Sequence, residues 1–212
     1  MKTLIIFTLF VSSMAHAHNP KKILMIINEG FQVDEYFTPK AAFEKAGFKI
    51  TTASRYGGLV KPGKKYESPQ NTVQTDLSFQ EIKVEEYDAI SFTGGGGAWS
   101  DYFPNPTLHK VLMDSIQRKE MVVALICAGT GLLATANNLD GNHPQFKGRH
   151  VTGYPEVAGL LKLQGQMNYD AGNIHAPYVV VDGNLVTGRD PSSAKLYAET
   201  MIQKISINRN NP

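Results

Sequence analysis

Residues 121–133 have the sequence Met-Val-Val-Ala-Leu-Ile-Cys-Ala-Gly-Thr-Gly-Leu-Leu, in which a short apolar run leads directly to the only cysteine of the chain. The adjacent valines predict a buried strand, and the change to helical spacing after the glycines predicts a tight turn into a helix. Such a turn holds a nucleophile at a sheet edge, and the helix N-terminus behind it favours a thiolate. The alternative is that Cys127 is a buried structural thiol, since free cysteine is among the most buried residue types.

Strand-like and helix-like segments alternate along the rest of the chain, which predicts one α/β domain with a right-handed, doubly wound, mostly parallel sheet. The segment between Arg55 and Thr75 is polar and rich in Gly, Pro and Lys, so we expect a loop with at most one edge strand there. Strands are predicted at 22–28, 48–53, 89–92, 122–126, 150–153 and in two runs within 178–187. Helices are predicted at 38–46, at 78–86, from a cap at Asn105, from the Cys127 turn to near Gly141, at 156–163 and at 192–205.

The N-terminus has the features of a secretory signal peptide. Lys2 provides a positive charge, residues 4–11 are apolar, and Ala15-His16-Ala17 is a small-x-small cleavage pattern. We therefore expect a signal peptide at residues 1–17, a single domain at residues 18–212, and a periplasmic or secreted protein. The apolar run is too short for a membrane span, so no membrane association is expected after cleavage.

Composition excludes several functions. The formal net charge is +2 without a cluster of basic residues, so nucleic acid is not an expected partner. One cysteine can form neither an internal disulfide nor a CxxC pair, and no Cys/His set has zinc-ligand spacing. The glycine run after the third strand lacks the spacing of a dinucleotide fingerprint. We expect no metal and no cofactor, and a small molecule as substrate.

Three features directly follow predicted strands, so a parallel sheet brings them to one edge. They are Glu29, the glycine run 94–97, and Cys127. Cys127 is then the predicted nucleophile and Glu29 its general acid or base, while amides of the glycine run and of Ala128 form an oxyanion hole. The alternatives are a solvated loop acid at Glu29 and a flexible turn at the glycines.

Five other positions are candidates for the wall of this site or for its proton transfer. His175, in a loop before the last strands, is the histidine that best suits the site, and Tyr154 follows a predicted strand. Trp99 packs over the site or over an interface, and Gly94 and Gly96 are expected pocket residues. In contrast, His109 is one position off the apolar stripe of its helix and is expected to be solvated.

Five segments, taken in order, resemble the DJ-1/PfpI superfamily: Glu29–Phe31, Tyr87–Ile90, Leu125–Gly129, Gly148–Thr152 and Asp182–Arg189. The resemblance extends from about Lys22 to Ile205. It implies a flavodoxin-like α/β/α sandwich and a homodimer. It also implies a reactive Cys127 hydrogen-bonded to Glu29 and oxyanion-hole amides at Gly95 and Ala128.

The chain departs from this family at three positions. Ala128 stands where the peptidase and chaperone branches usually have histidine, and Tyr154 where DJ-1-like members have a pocket histidine. Thr93 replaces the proline that usually precedes the glycines. The leading hypothesis is a cysteine-dependent enzyme acting on small reactive carbonyls, similar to the glutathione-independent glyoxalases and deglycases of the family. The alternatives are a non-catalytic sensor of oxidative stress, through oxidation of Cys127, and a small amidase, hydratase or peptidase-like hydrolase.

Overall fold

The computed structural model describes residues 21–136 and 146–210. The predicted signal peptide, and the end of the helix predicted to reach Gly141, lie outside the described residues. No helix in the described ranges is both long enough and apolar enough to cross a membrane.

The described strands form one large sheet and two small ones. They are β1 (Lys22–Ile26), β2 (Lys49–Ser54), β3 (Gly58–Val60), β4 (Val73–Thr75), β5 (Leu77–Ser78), β6 (Ala89–Phe92), β7 (Val122–Ile126), β8 (His150–Val151), β9 (Asn168–Tyr169), β10 (Val179–Asp182) and β11 (Leu185–Gly188).

The large sheet has seven strands in the order β10-β11-β7-β6-β1-β2-β5. Every neighbouring pair is parallel except β10 and β11, which form an antiparallel hairpin. If the main parallel strands β1, β2, β6, β7 and β11 are numbered 1 to 5 along the chain, their order in the sheet is 2-1-3-4-5, as in flavodoxin-like folds. The predicted flavodoxin-like, doubly wound, mostly parallel sheet is therefore confirmed.

Within the described ranges, four α-helices cover the sheet: α1 (Val33–Lys45), α2 (Pro106–Gln117), α3 (Leu132–Ala136) and α4 (Ala194–Asn210). Helix α1 packs against α4, and α2 packs against α3. Right-handed crossovers place these two pairs on opposite faces, because the chain moves across the sheet in opposite directions after β1 and after β6. The central strands β6 and β7 are buried throughout, as expected of strands covered on both faces.

Helix α1 begins earlier than predicted. Thr38-Pro39 resembles a helix start, yet the helix begins at Val33 and contains Pro39 in its interior. The true N-cap is Gln32, whose side-chain oxygen accepts a hydrogen bond from the amide of Glu35 at 3.1 Å. Glu35 consequently lies in the first turn of the helix, close to the carboxyl end of β1.

The segment from Arg55 to Thr75 is more regular than predicted. It contains the two antiparallel strands β3 and β4 in place of a single edge strand. It also docks next to the end of β1, where the Gly30 amide donates to the Lys61 carbonyl and the Gly63 amide donates to the Phe31 carbonyl. Elsewhere, the helix predicted at 78–86 is two short 3-10 turns, and α4 extends past its predicted end to Asn210.

Candidate active site

Cys127 lies at the carboxyl end of β7, where the backbone turns into a short 3-10 helix, Cys127–Gly131. Its φ angle is +59°, in the left-handed region that residues with a side chain seldom adopt. Backbone strain of this kind costs on the order of 1–3 kcal/mol and is concentrated at functional sites. The predicted strand–turn–nucleophile geometry is therefore present, and the side chain is only 6% exposed.

The strained turn is held by hydrogen bonds to a single carbonyl. The Thr130 hydroxyl donates to the Cys127 carbonyl oxygen at 2.7 Å, and the Tyr154 amide donates to the same oxygen at 3.3 Å. A Cβ at Gly153 would lie 2.0 Å from the Thr130 hydroxyl oxygen, so only glycine fits beside it. These contacts fix the direction in which the Cys127 side chain leaves the sheet.

The carboxyl group beside Cys127 belongs to Glu35. Its side chain is fully buried and is hydrogen-bonded to the Cys127 thiol. One carboxyl oxygen, Oε2, accepts the Gly94 amide at 3.0 Å, while Oε1 is buried and has no N or O partner among the described residues. Glu35 is thus directed at the sulfur and fixed by the glycine run.

Burial controls the protonation of this pair. Burial raises the pKa of Glu35 from 4.5 to about 8, opposed by its hydrogen bonds with Cys127 and Gly94. Burial also raises the pKa of the Cys127 thiol, and the negative charge of Glu35 adds to the rise, while a hydrogen bond from the Ala128 amide opposes it. The expected stabilisation of a free thiolate by a helix N-terminus is outweighed, because the turn is short and the sulfur is desolvated. Burial therefore favours the protonated form of both groups at neutral pH.

Gly94 is the point at which the two reactive groups meet. A Cβ at this position would lie 2.5 Å from Glu35 Oε2 and 2.7 Å from Cys127 Cβ. Such distances do not occur between real atoms, so the glycine is what allows the carboxyl and the thiol to approach each other. Gly94 therefore belongs to the site through its backbone.

Gly95 and Gly97 of the glycine run pack tightly against residues 28–32. A Cβ at Gly97 would lie 1.6 Å from the Glu29 carbonyl oxygen, and one at Gly95, whose φ angle is +113°, would lie 2.5 Å from the Gly30 carbonyl oxygen. The buried Asn28 side chain donates to the carbonyls of Thr93 and Gly94. The end of β1 therefore fixes the path of the glycine run. Gly96 is exposed and has open space around it.

Two amides are available to hold an oxyanion. The Ala128 amide already donates to the Cys127 sulfur. The Gly95 amide follows Gly94 directly, and its N–H has no acceptor within the described ranges. Amides from the residue after a nucleophile and from a neighbouring strand end are the usual donors of an oxyanion hole.

Glu29 lies elsewhere than predicted. Its side chain is exposed, and its carboxylate accepts the Lys61 amide at 3.4 Å, on the side facing the β3–β4 segment. The backbone continues past Glu29 and returns in the first turn of α1, so the acid that reaches Cys127 is the later one, Glu35. An acidic residue in the first helical turn beside a strand end was the available signal, but the misplaced helix start concealed it.

The other side chains predicted for the site are those of Tyr154, Trp99 and His175. Tyr154 is half-buried beside Cys127, and its pKa is raised by burial and by the charge of Cys127. Trp99 is 47% exposed and stacks edge-on against Phe103, whose ring packs on Gly131 of the turn. His175 is exposed on a loop, and nothing in its contacts directs it toward Cys127.

His109 is not solvated, contrary to expectation. It is 3% exposed, and its Nε2 is hydrogen-bonded to the Phe103 carbonyl at 2.8 Å. Burial lowers its pKa, so the ring is neutral at pH 7. The chain between Phe103 and the N-cap Asn105 covers this side of α2, which the helical stripe alone cannot indicate.

Sequence reasoning also missed Asp190, which follows β11 at the same edge of the sheet. Its carboxylate accepts hydrogen bonds from Arg189 Nε at 2.8 Å and from the hydroxyls of Ser192 and Ser193. Its charge raises the pKa of Cys127, of Glu35 and of Tyr154. The site thus contains a second carboxylate.

Residues 21–136 and 146–210 contain no group of three or more His, Cys, Asp and Glu side chains placed to bind a metal ion. Within these ranges the polar groups around the sulfur are the carboxyl groups of Glu35 and Asp190, backbone amides and a tyrosine. This set of groups suits proton transfer and nucleophilic addition.

Known proteins with similar sequences share most of the chain. Protein/nucleic acid deglycase 2 of Escherichia coli is 30% identical over 81% of this chain and 90% of its own length. The glutathione-independent glyoxalase DJ-1 of Schizosaccharomyces pombe is 24% identical over 87% of this chain and 91% of its own. An uncharacterised protein of Methanocaldococcus jannaschii is 30% identical over 90% of this chain and 84% of its own.

Solved structures have the same fold. The ThiJ/PfpI domain protein from Brachyspira murdochii superposes with a TM-score of 0.76 and 26% identity, covering 89% of this chain and 99% of the other. Drosophila melanogaster DJ-1beta superposes with a TM-score of 0.72 and 22% identity over 91% and 97% of the two chains. The sequence model of the DJ-1/PfpI family matches residues 21–204, nearly all of the described chain. This chain therefore belongs to the DJ-1/PfpI family.

Proposed function

We propose that the protein is a cysteine-dependent enzyme that converts small 2-oxoaldehydes such as methylglyoxal into 2-hydroxy acids without glutathione. The observation that carries the proposal is the contact between the buried Glu35 carboxyl and the Cys127 thiol. Relatives named a glyoxalase and a deglycase support the choice of carbonyl compounds as the substrate class.

The first step is addition of sulfur to the aldehyde. The Cys127 sulfur forms a bond to the aldehyde carbon while its proton passes to the ionised form of Glu35, the minor form at pH 7 because the pKa is about 8. The π electrons of the carbonyl move to its oxygen. The Gly95 and Ala128 amides hold this oxyanion. Glu35 then returns the proton to the oxygen, which gives a hemithioacetal.

The second step is an internal rearrangement followed by hydrolysis. The Glu35 carboxylate removes the hydrogen from the former aldehyde carbon as a proton and delivers it to the neighbouring carbonyl carbon, while the hydroxyl proton of the hemithioacetal moves to the oxygen of that neighbouring carbon. The product is a thioester of a 2-hydroxy acid, and water hydrolyses it to release the acid and the thiol. The whole sequence consumes one water and needs no oxidant or reductant, and one correctly placed acid–base group serves every proton transfer.

The test is methylglyoxal turnover to lactate by the purified protein, followed by NMR in the absence of glutathione. Cys127→Ala and Glu35→Gln should each lower kcat/KM at least 100-fold, while Glu29→Gln, which alters only an exposed carboxylate, should stay within about twofold of the wild type. Turnover that persists in Cys127→Ala would contradict the proposal. If the wild type is inactive but peroxide converts Cys127 to a sulfinic acid, the redox-sensor alternative replaces it.

We also propose that the chain is exported and acts as a homodimer. The charged, apolar and small-residue pattern of residues 1–17 supports export, with cleavage after Ala17. Mass spectrometry of the protein recovered from the periplasm should give an N-terminus at His18, and sedimentation should give twice the mass of the mature chain. An uncleaved cytoplasmic product, or a monomer, would contradict the respective proposal.

A further inference from the structure

We propose that Asp190 makes the Cys127 site select neutral and cationic carbonyl compounds and reject anionic ones such as 2-oxo acids. That the ligands are carbonyl compounds rests on the proposed function. The charge selection itself is a property of the site and can be measured at the thiol without any turnover.

The sheet brings Asp190 to the sulfur. Strands β7 and β11 are parallel neighbours in which Ile126 pairs with Gly188. Cys127 directly follows Ile126, and Asp190 lies two residues after Gly188. Both residues therefore leave the sheet at the same edge.

A third segment closes this edge. The Thr152 amide donates to the Thr187 hydroxyl at 2.9 Å, which ties the chain after β8 to β11. The next residues reach Tyr154, whose amide donates to the Cys127 carbonyl. Tyr154 and Asp190 therefore belong to the two chain segments that flank Cys127 on the β11 side.

The carboxylate of Asp190 is fixed and ionised. Burial tends to raise its pKa, but hydrogen bonds from Ser192, Arg189 and Ser193, with the charge of Arg189, lower it below its ordinary value. The carboxylate is 21% exposed, so its charge is only partly screened by water. A permanent negative charge therefore stands at the site at neutral pH.

The neighbouring guanidinium is shared between Asp190 and a loop. Arg189 is 3% exposed; its Nε donates to Asp190, and its two terminal nitrogens donate to the carbonyls of Ala171, Asn173 and Ala176. Its charge lowers the pKa of Tyr169, which burial raises. The charge of Asp190, in contrast, acts on Cys127, Glu35 and Tyr154.

A second acid adds to the effect. Glu156 is exposed, two positions after Tyr154, and its charge also raises the pKa of that tyrosine. Glu35 is neutral at pH 7, because burial raises its pKa to about 8. An approaching anion consequently meets the charges of Asp190 and Glu156, whereas a neutral aldehyde meets no repulsion.

The test is alkylation of Cys127 by two reagents of similar size, neutral iodoacetamide and anionic iodoacetate, at pH 7.5 and low ionic strength. Cys127 is the only cysteine, so the loss of free thiol reports this site alone. Both reagents attack the thiolate, and changes in the thiolate fraction therefore cancel in the ratio of the two rates. Asp190→Asn should raise the rate for iodoacetate relative to iodoacetamide by about 3- to 10-fold, the range expected for removing one partly screened charge.

The matched control is Asp114→Asn, which removes an exposed carboxylate from α2 and should leave the ratio unchanged. The wild type provides a second measurement that needs no variant. Its ratio should be lower than that of the neutral thiol N-acetylcysteinamide, and 0.5 M NaCl should bring the two ratios together. Equal ratios at low salt, or an unchanged ratio in a folded Asp190→Asn, would overturn the proposal.

Turnover separates this inference from the proposed function. If the enzyme is active, kcat/KM of the wild type should be higher for methylglyoxal than for glyoxylate. Asp190→Asn should reduce the ratio of these two kcat/KM values by a factor similar to that seen in alkylation. If no carbonyl compound is converted while the alkylation ratios behave as stated, the proposed function fails and the charge selection stands.

Discussion

Glu35 and Cys127 are hydrogen-bonded through their side chains, although one lies in the first turn of a helix and the other ends the fourth main parallel strand. The contact is buried and has Gly94 at its centre, because only a glycine leaves room for the two groups. The pair is therefore one acid–base unit. Its apparent pKa values belong to both residues together.

The first prediction concerns the reactivity of Cys127 in Glu35→Gln. In the wild type, burial raises the pKa of the Cys127 thiol above its ordinary 9.0, and the negative charge of ionised Glu35 raises it further. Glutamine removes this charge, so the thiolate forms at a lower pH. The midpoint of iodoacetamide alkylation against pH should therefore be lower in Glu35→Gln than in the wild type.

Glu29→Gln is the control for this prediction. Its carboxylate is exposed and accepts the Lys61 amide, so the midpoint should remain at that of the wild type. A shift in Glu29→Gln together with no shift in Glu35→Gln would reverse the assignment of the acid–base residue.

The second prediction concerns stability against pH. The pKa of Glu35 is about 8 in the folded protein and near 4.5 in the unfolded chain. The folded state therefore binds more protons between these values, and the free energy of unfolding must fall as the pH rises from 4.5 to about 8. The loss attributable to Glu35 is on the order of a few kcal/mol.

Urea unfolding of the wild type and of Glu35→Gln across this range measures that loss. The stability difference, Glu35→Gln minus wild type, should increase from pH 5 to pH 8, because the glutamine never ionises. A difference that stays constant over the range would mean that Glu35 has an ordinary pKa in the folded protein.

The sheet was predictable from sequence because its strands are continuous apolar runs. The strand at Ala89–Phe92 was predicted at its observed bounds, and the run ending at Ile126 led directly to Cys127. Apolar runs of this kind identify strands covered on both faces, and parallel strands bring their carboxyl ends to one edge. The placement of Cys127 and the glycine run at one edge of the sheet followed from these facts alone.

The acid–base partner was not predictable in the same way, because it depended on where a helix begins. The pair Thr38-Pro39 resembled a helix start, and Gln32, the residue that caps α1, is a less usual N-cap than serine or aspartate. An error in the helix start left Glu35 outside any element and made Glu29 the nearest acid. Asp190 was missed because its effect depends on the pairing of β11 with β7, which the sequence does not specify.

The third prediction compares two neighbouring glycines. Gly94→Ala places a Cβ 2.5 Å from Glu35 Oε2 and 2.7 Å from Cys127 Cβ, so the pair must separate. We expect loss of activity of at least 100-fold and a decrease in stability of about 2 kcal/mol, within the range for overpacked sites. Gly96→Ala meets no atom within 4 Å and should leave both quantities nearly unchanged.

Circular dichroism and thermal unfolding will establish that both alanine variants fold. Iodoacetamide alkylation then reports the separation of the pair directly, since in Gly94→Ala the midpoint should move away from that of the wild type. Similar kinetics in Gly94→Ala and the wild type would show that the contact between Glu35 and Cys127 is not required.

The fourth prediction concerns Arg189, which anchors the loop 171–176. Its guanidinium donates to three loop carbonyls and to Asp190, and no lysine can reproduce this set of directions from one ammonium group. Arg189→Lys should lower the free energy of unfolding by about 3 kcal/mol, as expected when a buried charged group loses its partners. Limited proteolysis should then cut within the loop at a rate the wild type does not show.

The control is Arg55→Lys, at a partly exposed ion pair with Asp101, which should lower the free energy of unfolding by less than about 1 kcal/mol. Equal losses in the two variants, with no new cleavage in the loop, would contradict the anchoring role of Arg189.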